Sequence, residues 1–296
     1  MADRTADACG AAGTVRELVA VLEKLLIGGA IREARREARD IVAAVLDVPR
    51  FWPSMHPDVP VNADATREAT TAATRRARGA PFAYAVGRAS FRHLTLAVDE
   101  RVLIPRVETE ELVEIALGLG LQPGGVAIDV GTGSGAIALA LAMEARFDRV
   151  IATDISEDAL VVARSNAVAL AGLLRAPVEF RNGSLLGPVR GVRARLLVAN
   201  LPYIAFGEAV GLPAGVRDWE PPVALFSADE GMSAIRMLLA SAPTVLERGG
   251  HVVLEVDARR ASLAAELASS NPCYCQIAVR LDLAGRERFI VATCAE

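Results

Sequence analysis

The chain has 296 residues, of which 52% are hydrophobic and 23% are charged, and this composition is typical of a globular protein with a large core and a second, smaller domain. Its formal net charge of −4 offers no bulk attraction for nucleic acid, so we expect no direct nucleic-acid partner. The sequence lacks a secretory signal pattern and any uninterrupted apolar run near the ~20 residues of a membrane span. We therefore predict a cytoplasmic protein without a membrane partner.

The cysteines and histidines are too scattered to build a metal centre from local spacing. Four cysteines occur, at Cys9, Cys273, Cys275 and Cys294. The closest two are separated by one residue rather than by the two that are usual in zinc sites, and the histidines are isolated from one another. We predict reduced structural thiols, no bound metal and no histidine-based triad.

The first part of the chain, to about residue 80, predicts a small helical unit. Thr14-Val15-Arg16-Glu17 forms a capping box at the start of one amphipathic helix. Helical spacing recurs over 31–48 and over 66–78, the latter with an alanine and threonine face. The charged faces of these helices suit either solvated surface or a docking platform for a partner.

The rest of the chain alternates between strand and helix patterns. The segment 90–98 alternates as one strand, and a hairpin is predicted between Phe91 and Leu103. A helix over 109–119 follows, and later helices are predicted over 157–170, 232–246 and 262–269, with strands between them and a closing hairpin of 276–281 with 288–293. This order specifies an open, mostly parallel sheet with helices on both faces and ligands at the carboxyl ends of the strands.

One stretch, from Val126 to Asp154, has the pattern of a nucleotide-type pocket. A predicted strand runs through Asp129 into the turn Gly131-Thr132-Gly133-Ser134-Gly135, and a helix and a second strand follow. Glycine suits this turn because the backbone visits positive φ there, and because side chains would hold a ligand away from the N–H groups at the helix start.

The acid that closes the second strand supports this interpretation. Asp154 lies about twenty residues beyond the turn, where such folds place the carboxylate that binds ribose hydroxyls. The glycine spacing is one residue tighter than in the dinucleotide fingerprint, and this compact form after Asp129 is the one seen in S-adenosylmethionine-dependent methyltransferases. A plain strand-to-helix turn and an ordinary dinucleotide site remain the alternatives at this point.

A second motif, Asn200-Leu201-Pro202-Tyr203, follows another buried strand and is expected at the same edge of the sheet. The Asn200 side-chain oxygen and the Leu201 carbonyl can each accept one hydrogen of a planar NH₂ group, which orients its nitrogen toward a methyl donor. Pro202 restrains the backbone and Tyr203 can stack on the planar group. The alternative is a proline turn capped by asparagine.

Six segments at linked spacing carry a family resemblance, and they are Gly79-x-Pro81-x-x-Tyr84-x-x-Gly87-x-x-x-Phe91, Leu103-Ile104-Pro105-Arg106 with Thr109-Glu110, the glycine turn, Asn200-x-Pro202-Tyr203, Glu220-Pro221-Pro222-x-Ala224-Leu225, and Asp282-Leu283-Ala284-Gly285-x-x-Arg288. In these segments, which span nearly the whole chain, the sequence resembles the HemK/PrmC family of release-factor glutamine methyltransferases.

The resemblance implies an α/β fold, with a class I Rossmann-like methyltransferase sheet of seven mostly parallel strands and a small N-terminal helical domain. The implied segments are a substrate-docking helical domain over 1–80, a hairpin linker over 81–106 and a methyltransferase domain over 107–296. Family members use S-adenosyl-L-methionine, release S-adenosyl-L-homocysteine, and methylate N5 of the glutamine amide in the Gly-Gly-Gln loop of peptide-chain release factors. A release factor is therefore the expected protein partner.

The resemblance also implies roles for individual residues. Asn200 and Tyr203 are the expected catalytic residues, Asn200 to Tyr203 would hold the glutamine amide, and Arg106 would line the approach to the pocket. The residues expected to contact the donor are Asp129, Gly131, Thr132, Gly133, Ser134, Gly135, Asp154, Ile155, Ser184, Leu185 and Asn200.

The sequence departs from the family pattern at three places near the expected pocket. One is at the pocket rim, where Glu255-Val256-Asp257-Ala258 replaces the Glu-x-Gly followed by glutamine that family members often carry. Leu201 stands where the family has the first proline of Asn-Pro-Pro-Tyr, and Ser184-Leu185 stands where an Asp-Trp pair is usual. Asn-Leu-Pro-Tyr also resembles the motif of adenosine dimethyltransferases that act on ribosomal RNA. The alternative functions are therefore methylation of another planar nitrogen, in a nucleic-acid adenine or a small metabolite, and an inactive donor-binding paralogue.

Overall fold

The computed structural model describes residues 13–295, so the prediction for Cys9 lies outside the described residues. The chain divides into two compact units. The first contains the residues up to Gly87 together with Ala214–Trp219, and the second contains Arg88–Pro213 together with the chain from Glu220 onward.

The first unit is helical, as the apolar periodicity predicts. Its described helices are Val15–Gly28, Ala34–Val45, Trp52–Met55, Ala63–Ala77, Phe82–Val86 and Ala214–Arg217. The predicted capping box is confirmed: the Thr14 hydroxyl accepts from the Glu17 N–H, and the Glu17 carboxylate accepts from the Thr14 N–H. The apolar faces of the three longest helices form one core, to which the first helix contributes Val15, Leu18, Leu22 and Leu26.

The second unit opens with a hairpin that is shorter than the sequence predicts. Strands β1 (Arg88–Phe91) and β2 (Leu94–Ala97) pair antiparallel, so the single strand predicted over 90–98 and the pairing of Phe91 toward Leu103 were both wrong. The chain turns at Arg92, whose φ is 51°. The Arg92 guanidinium donates to both carboxylate oxygens of Glu144 at 2.7 Å and to Glu114 at 2.8 Å, and these long-range bonds offset the cost of the left-handed backbone.

A seven-stranded sheet forms the centre of the second unit, and the predicted fold class is confirmed. Its strands are β3 (Val126–Val130), β4 (Arg149–Asp154), β5 (Val178–Asn182), β6 (Ala194–Asn200), β7 (Leu246–Glu255), β8 (Tyr274–Leu281) and β9 (Glu287–Cys294). Their spatial order is β5-β4-β3-β6-β7-β9-β8. The first five in this order run parallel, and β9 is antiparallel to both of its neighbours.

Helices cover both faces of the sheet, and they are Val107–Leu117, Ala136–Glu144, Glu157–Ala169, Ser233–Ser241 and Ala261–Ser269. The second unit also contains the short helix Pro222–Leu225. The helix predicted over 232–246 is shorter because Pro243, which lacks an N–H and cannot continue an α-helix, lies in the 3₁₀ turn Ala242–Thr244. Among the described residues, no helix is both long and apolar enough to cross a membrane.

The central strands are buried on both faces because neighbouring residues point to opposite sides of the sheet. Ile128 packs toward the helices Ser233–Ser241 and Ala261–Ser269, whereas Ala127 packs toward Val107–Leu117 and Ala136–Glu144. The helix Ala136–Glu144 is buried almost all round, which explains its continuous apolar sequence. This packing holds the carboxyl ends of β3, β4 and β6 rigidly side by side.

A buried asparagine, Asn166, ties the hairpin to the glycine turn. Its amide nitrogen donates to the carbonyls of Ala97 at 3.0 Å and Ser134 at 2.9 Å, and its oxygen accepts from the Ala97 N–H at 2.8 Å. Three backbone groups, two in the hairpin and one in the glycine turn, therefore bond to one side chain.

We predict that Asn166→Ala lowers the free energy of unfolding by about 3 kcal/mol, because buried backbone groups lose their partners. Urea unfolding followed by circular dichroism measures this loss. The control is Asn271→Ala, since the Asn271 side chain makes one exposed bond to the Cys273 N–H and should cost less than about 1 kcal/mol. Equal losses in the two variants would contradict the cross-linking role of Asn166.

Candidate active site

A cavity of about 310 Å³ lies at the carboxyl ends of β3, β4 and β6. This volume is in the range of small-molecule sites. Nine of the residues predicted from sequence line it together, and they are Gly131, Gly133, Asp154, Ile155, Ser184, Leu185, Asn200, Leu201 and Pro202. The glycine turn and the asparagine motif therefore face one space, although 67 residues separate Gly133 from Asn200 along the chain.

The glycine turn leaves its side of the cavity open. Gly131 and Gly133 have φ values of 76° and 55°, where side chains are strained, and a Cβ added at Gly133 would meet no atom within 4 Å. Asp154 braces the turn, since its two carboxylate oxygens accept from the N–H groups of Gly133 and Ser156, each at 2.9 Å. Burial raises the pKa of Asp154 above its ordinary value, and these backbone donors oppose the rise.

Asp129 lies behind the turn and does not line the cavity. One of its carboxylate oxygens, Oδ2, accepts from the Thr132 hydroxyl at 2.6 Å and from the Ala138 N–H at 3.1 Å. The other, Oδ1, is buried and has no hydrogen-bond partner. Burial raises the pKa of Asp129 to about 7, although both donors favour the charged form.

Five more of the predicted residues lie outside the cavity lining. Thr132 and Ser134 are buried in the turn, and Gly135 begins the helix Ala136–Glu144 with a φ of 85°. Tyr203 packs against the core beyond Pro202, and burial raises its pKa to about 12. Its hydroxyl is therefore protonated throughout the neutral pH range.

Arg106 is the fifth predicted residue outside the cavity lining. Its guanidinium bonds a carboxylate instead. Its guanidinium donates to Glu220 Oε1 at 2.6 Å, and the Ile104 N–H donates to Oε2 at 3.4 Å. The Glu220 side chain is 1% exposed and that of Arg106 is 33% exposed. The Ile104-Pro105-Arg106 segment and the Glu220-Pro221-Pro222 segment are thus joined by a nearly buried ion pair.

Asn200 belongs to a chain of three polar side chains. Its amide nitrogen donates to the Thr109 hydroxyl at 3.0 Å, and that hydroxyl donates to Glu255 Oε2 at 2.7 Å. Asn200 and Glu255 are register partners at the ends of the adjacent parallel strands β6 and β7. Glu255 is buried, and its burial raises the pKa of the carboxyl to about 7.

Leu201 packs onto the glycine turn. Its side chain is 5% exposed, and its Cδ2 would lie 3.1 Å from a Cβ added at Gly131. The residue that departs from the family tetrapeptide thus contacts the opposite wall of the same cavity. A larger residue at position 131 would force Leu201 to move, so the two motifs are sterically coupled.

Sequence reasoning missed several residues of the site. Glu255 was noted only as part of a departure from the family pattern, without a role. It closes a parallel strand, the same signal that pointed to Asp154 and Asn200, so this signal could have assigned it one. Thr109 and Glu220 lie within the family-like segments without a role assigned to them. The apolar part of the cavity comes largely from residues that no sequence motif marked, and these include Val102, Val223, Phe226 and Met237. Leu103 and Ala224, which lie in the family-like segments, complete it.

Comparisons with known proteins identify relatives over nearly the whole chain. The family described as the PrmC N-terminal domain matches residues 17–87. A release factor glutamine methyltransferase of Xylella fastidiosa is 40% identical over 282 residues, which cover 91% of this chain and 97% of that protein. A protein of the same name from Moorella thermoacetica is 38% identical over 294 residues, which cover 94% of this chain and 98% of that one.

The chain belongs to the release factor glutamine methyltransferase family. Identity at this level over nearly the full length of both relatives decides the assignment. The fold agrees with it, since a solved methyltransferase structure from Pyrococcus furiosus matches with a TM-score of 0.50 and 19% identity, covering 67% of this chain and 87% of that one. The predicted family and fold are therefore confirmed.

The ion pair in this family member generates a stability prediction. We expect Arg106→Met to lower the free energy of unfolding by about 3 kcal/mol, because it leaves the Glu220 carboxylate buried without a counter-charge. Urea unfolding of Arg106→Met, Glu220→Gln and the double variant measures the coupling. The double variant should be more stable than Arg106→Met alone, and simple additivity of the two losses would contradict the pairing.

The buried Asp129 predicts a pH dependence of stability. Because the pKa of Asp129 is raised, the folded state binds its proton more tightly than the unfolded chain does. The protonated carboxyl therefore contributes its full stabilisation when the pH is below the pKa of Asp129 in the unfolded chain, and this contribution is lost as the pH rises toward 7. Asp129→Asn should therefore gain stability relative to the wild type between pH 5 and pH 8.

Parallel urea titrations at several pH values measure this difference. Asp58→Asn, at a side chain that is 80% exposed, is the control for a carboxyl outside the core. A constant difference between wild type and Asp129→Asn across the pH range would disprove the burial effect.

Proposed function

We propose that this protein transfers a methyl group from S-adenosyl-L-methionine to the side-chain amide nitrogen of the glutamine in the Gly-Gly-Gln loop of peptide-chain release factors. One observation carries the proposal beyond family membership: a single cavity is lined both by the open glycine turn with Asp154 and by Asn200-Leu201-Pro202. A donor and a planar acceptor can meet only where their recognition residues share a space.

The residues around the glycine turn fit a cationic nucleoside donor. The glycine turn, whose open space lies at Gly133, accommodates the methionine part, and Asp154 is the acceptor for the ribose hydroxyls. The Asp129 carboxyl, whose Oδ1 has no partner, lies behind the turn, and its ionised form would favour a donor with positive charge. When bound, S-adenosylmethionine supplies an electrophilic methyl group on a positively charged sulfur.

The asparagine motif fits an amide acceptor. The Asn200 nitrogen is already committed to Thr109, so the Asn200 oxygen is the atom left for the cavity. This oxygen and the Leu201 carbonyl would accept the two hydrogens of the glutamine NH₂ group, which turns the nitrogen lone pair away from them and toward the donor. Pro202 restrains the loop that carries both oxygens.

The protein contributes orientation rather than a strong base. Tyr203 keeps its proton at neutral pH because burial raises its pKa to about 12, so it acts by packing beside the planar group. A strong base is unnecessary because the methyl group is reactive and proximity alone supplies a large part of the barrier reduction. As the carbon–sulfur bond breaks and the carbon–nitrogen bond forms, the nitrogen becomes positively charged and gives up one of its hydrogens as a proton to solvent.

The helical unit is the proposed docking element for the release factor. The match to the PrmC N-terminal domain over residues 17–87 supports this role. A row of charged side chains begins at Glu33, just before the unit's helix Ala34–Val45, and continues on the helix with Arg36 and Asp40. Charged faces of this kind give specificity to protein partners.

The substrate assignment is tested by supplying labelled donor to the purified protein with a release factor, a mixture of tRNA and ribosomal RNA, and a metabolite extract. Mass spectrometry then locates the label. Label on the glutamine of the Gly-Gly-Gln loop is expected, and label confined to RNA or to a metabolite would overturn the assignment.

We predict that Asn200→Ala lowers kcat for release-factor methylation at least ~100-fold, because the acceptor nitrogen loses one of its two orienting contacts. Donor affinity, measured calorimetrically with S-adenosylhomocysteine, should change much less. Asn271→Ala, at an exposed loop, is the matched control. Full activity of Asn200→Ala would contradict the proposed role of Asn200 in orienting the acceptor nitrogen.

A further inference from the structure

We propose that Thr109 and Glu255 are positioning residues that hold the Asn200 amide with its oxygen toward the acceptor, and that protonation of Glu255 releases this hold. The inference rests on the proposed function and deepens it. It is carried by the hydrogen-bond chain Asn200–Thr109–Glu255, in which each group has a limited set of donors and acceptors.

The direction of the chain follows from counting hydrogens. An ionised carboxylate can only accept, so Glu255 takes the single hydrogen of the Thr109 hydroxyl. The Thr109 oxygen is then left as an acceptor toward Asn200, and only the NH₂ group of that amide can serve it. The charge on Glu255 therefore selects one of the two orientations of the Asn200 amide. In that orientation the Asn200 oxygen is left to accept a hydrogen bond from the glutamine amide that receives the methyl group.

Protonation of Glu255 removes the selection. The carboxylic acid can donate to the Thr109 oxygen, which frees the Thr109 hydrogen to bond an amide oxygen instead. Asn200 can then turn its NH₂ group toward the glutamine amide that accepts the methyl group. In this orientation the Asn200 hydrogens face the hydrogens of that amide, and no Asn200 oxygen accepts from them. Acceptor orientation is lost in that state while the donor side of the cavity is unchanged.

The surroundings of Glu255 make such a change accessible near neutral pH. Thr109 bonds it directly, and the charged groups that act on it are Arg288 and Arg106, which favour the carboxylate, and Glu108, which opposes it. The Tyr203 side chain also interacts electrostatically with Glu255. Arg288 donates to Asp282 at 3.0 Å, so part of its charge is already neutralised, and burial dominates to raise the pKa of Glu255 to about 7.

The hydrogen-bond chain Asn200–Thr109–Glu255, called the relay below, can be observed by selective isotope labelling without any substrate. The chain has five asparagines, so ¹⁵N-asparagine labelling of the full-length protein yields few side-chain amide signals. The Asn200 signal should shift as the pH rises from 6 to 8, and this titration should vanish in Glu255→Gln and in Thr109→Val. The Asn166 amide, whose partners are backbone groups of Ala97 and Ser134, is the internal control and should not shift.

Kinetics provide the second readout. In the wild type kcat for release-factor methylation should rise with pH between 6 and 8, whereas Glu255→Gln should have a lower and nearly pH-independent kcat. Thr109→Val should lose about tenfold in kcat, the effect of one hydrogen bond, and Thr109→Ser should restore it. Affinity for S-adenosylhomocysteine should stay within about twofold in all three variants, because Thr109 and Glu255 do not line the cavity.

The outcomes separate the relay from the proposed function. An Asn200 signal that ignores pH, or a Glu255→Gln enzyme that keeps the wild-type pH profile, overturns the relay even if methylation proceeds. A titrating Asn200 signal in a wild-type protein that never labels a release factor leaves the relay standing and overturns the substrate assignment. Loss of donor affinity in Thr109→Ser would show a general structural role instead of a positioning one.

Discussion

The parallel pairing of β3 with β4 and with β6 is the constraint on which the site depends. Val130 is the register partner of Thr153 on one side and of Ala199 on the other. The next residues of the three strands, Gly131, Asp154 and Asn200, therefore emerge at the same level of the sheet edge. The backbone hydrogen bonds that fix this register bring a glycine turn, an acid and an amide together without any bond between the side chains themselves.

The edge also concentrates buried carboxyl groups. Burial raises the pKa values of Asp129, Asp154 and Glu255, and each keeps a different set of donors: a hydroxyl and a backbone N–H, two backbone N–H groups, and a hydroxyl. None has an arginine directly bonded to it in the described structure, whereas Glu220 has Arg106. Carboxyls without a counter-ion remain responsive to a cationic ligand and to pH, and a paired carboxylate such as Glu220 stabilises the fold instead.

The departure of Leu201 from the family tetrapeptide has a packing explanation. A proline at this position would restrain the backbone through its ring, whereas Leu201 is restrained by burial of its side chain against Gly131. The carbonyl at this position is retained with either residue. The loop can therefore keep its proposed acceptor geometry although the source of its rigidity differs.

The sequence by itself determined the elements with a local signal. The capping box at Thr14, the glycine turn and the polar residues that close β4 and β6 all follow from spacing of a few residues, and alternating strand and helix patterns were enough to predict the sheet. Only the tertiary structure decided the contacts between distant segments: Arg92 with Glu144 in the hairpin turn, Arg106 with Glu220, and Thr109 with Glu255. Pairs like these lie 52, 114 and 146 residues apart, and which side chain satisfies which buried charge depends on how the strands and helices pack rather than on any pattern along the chain.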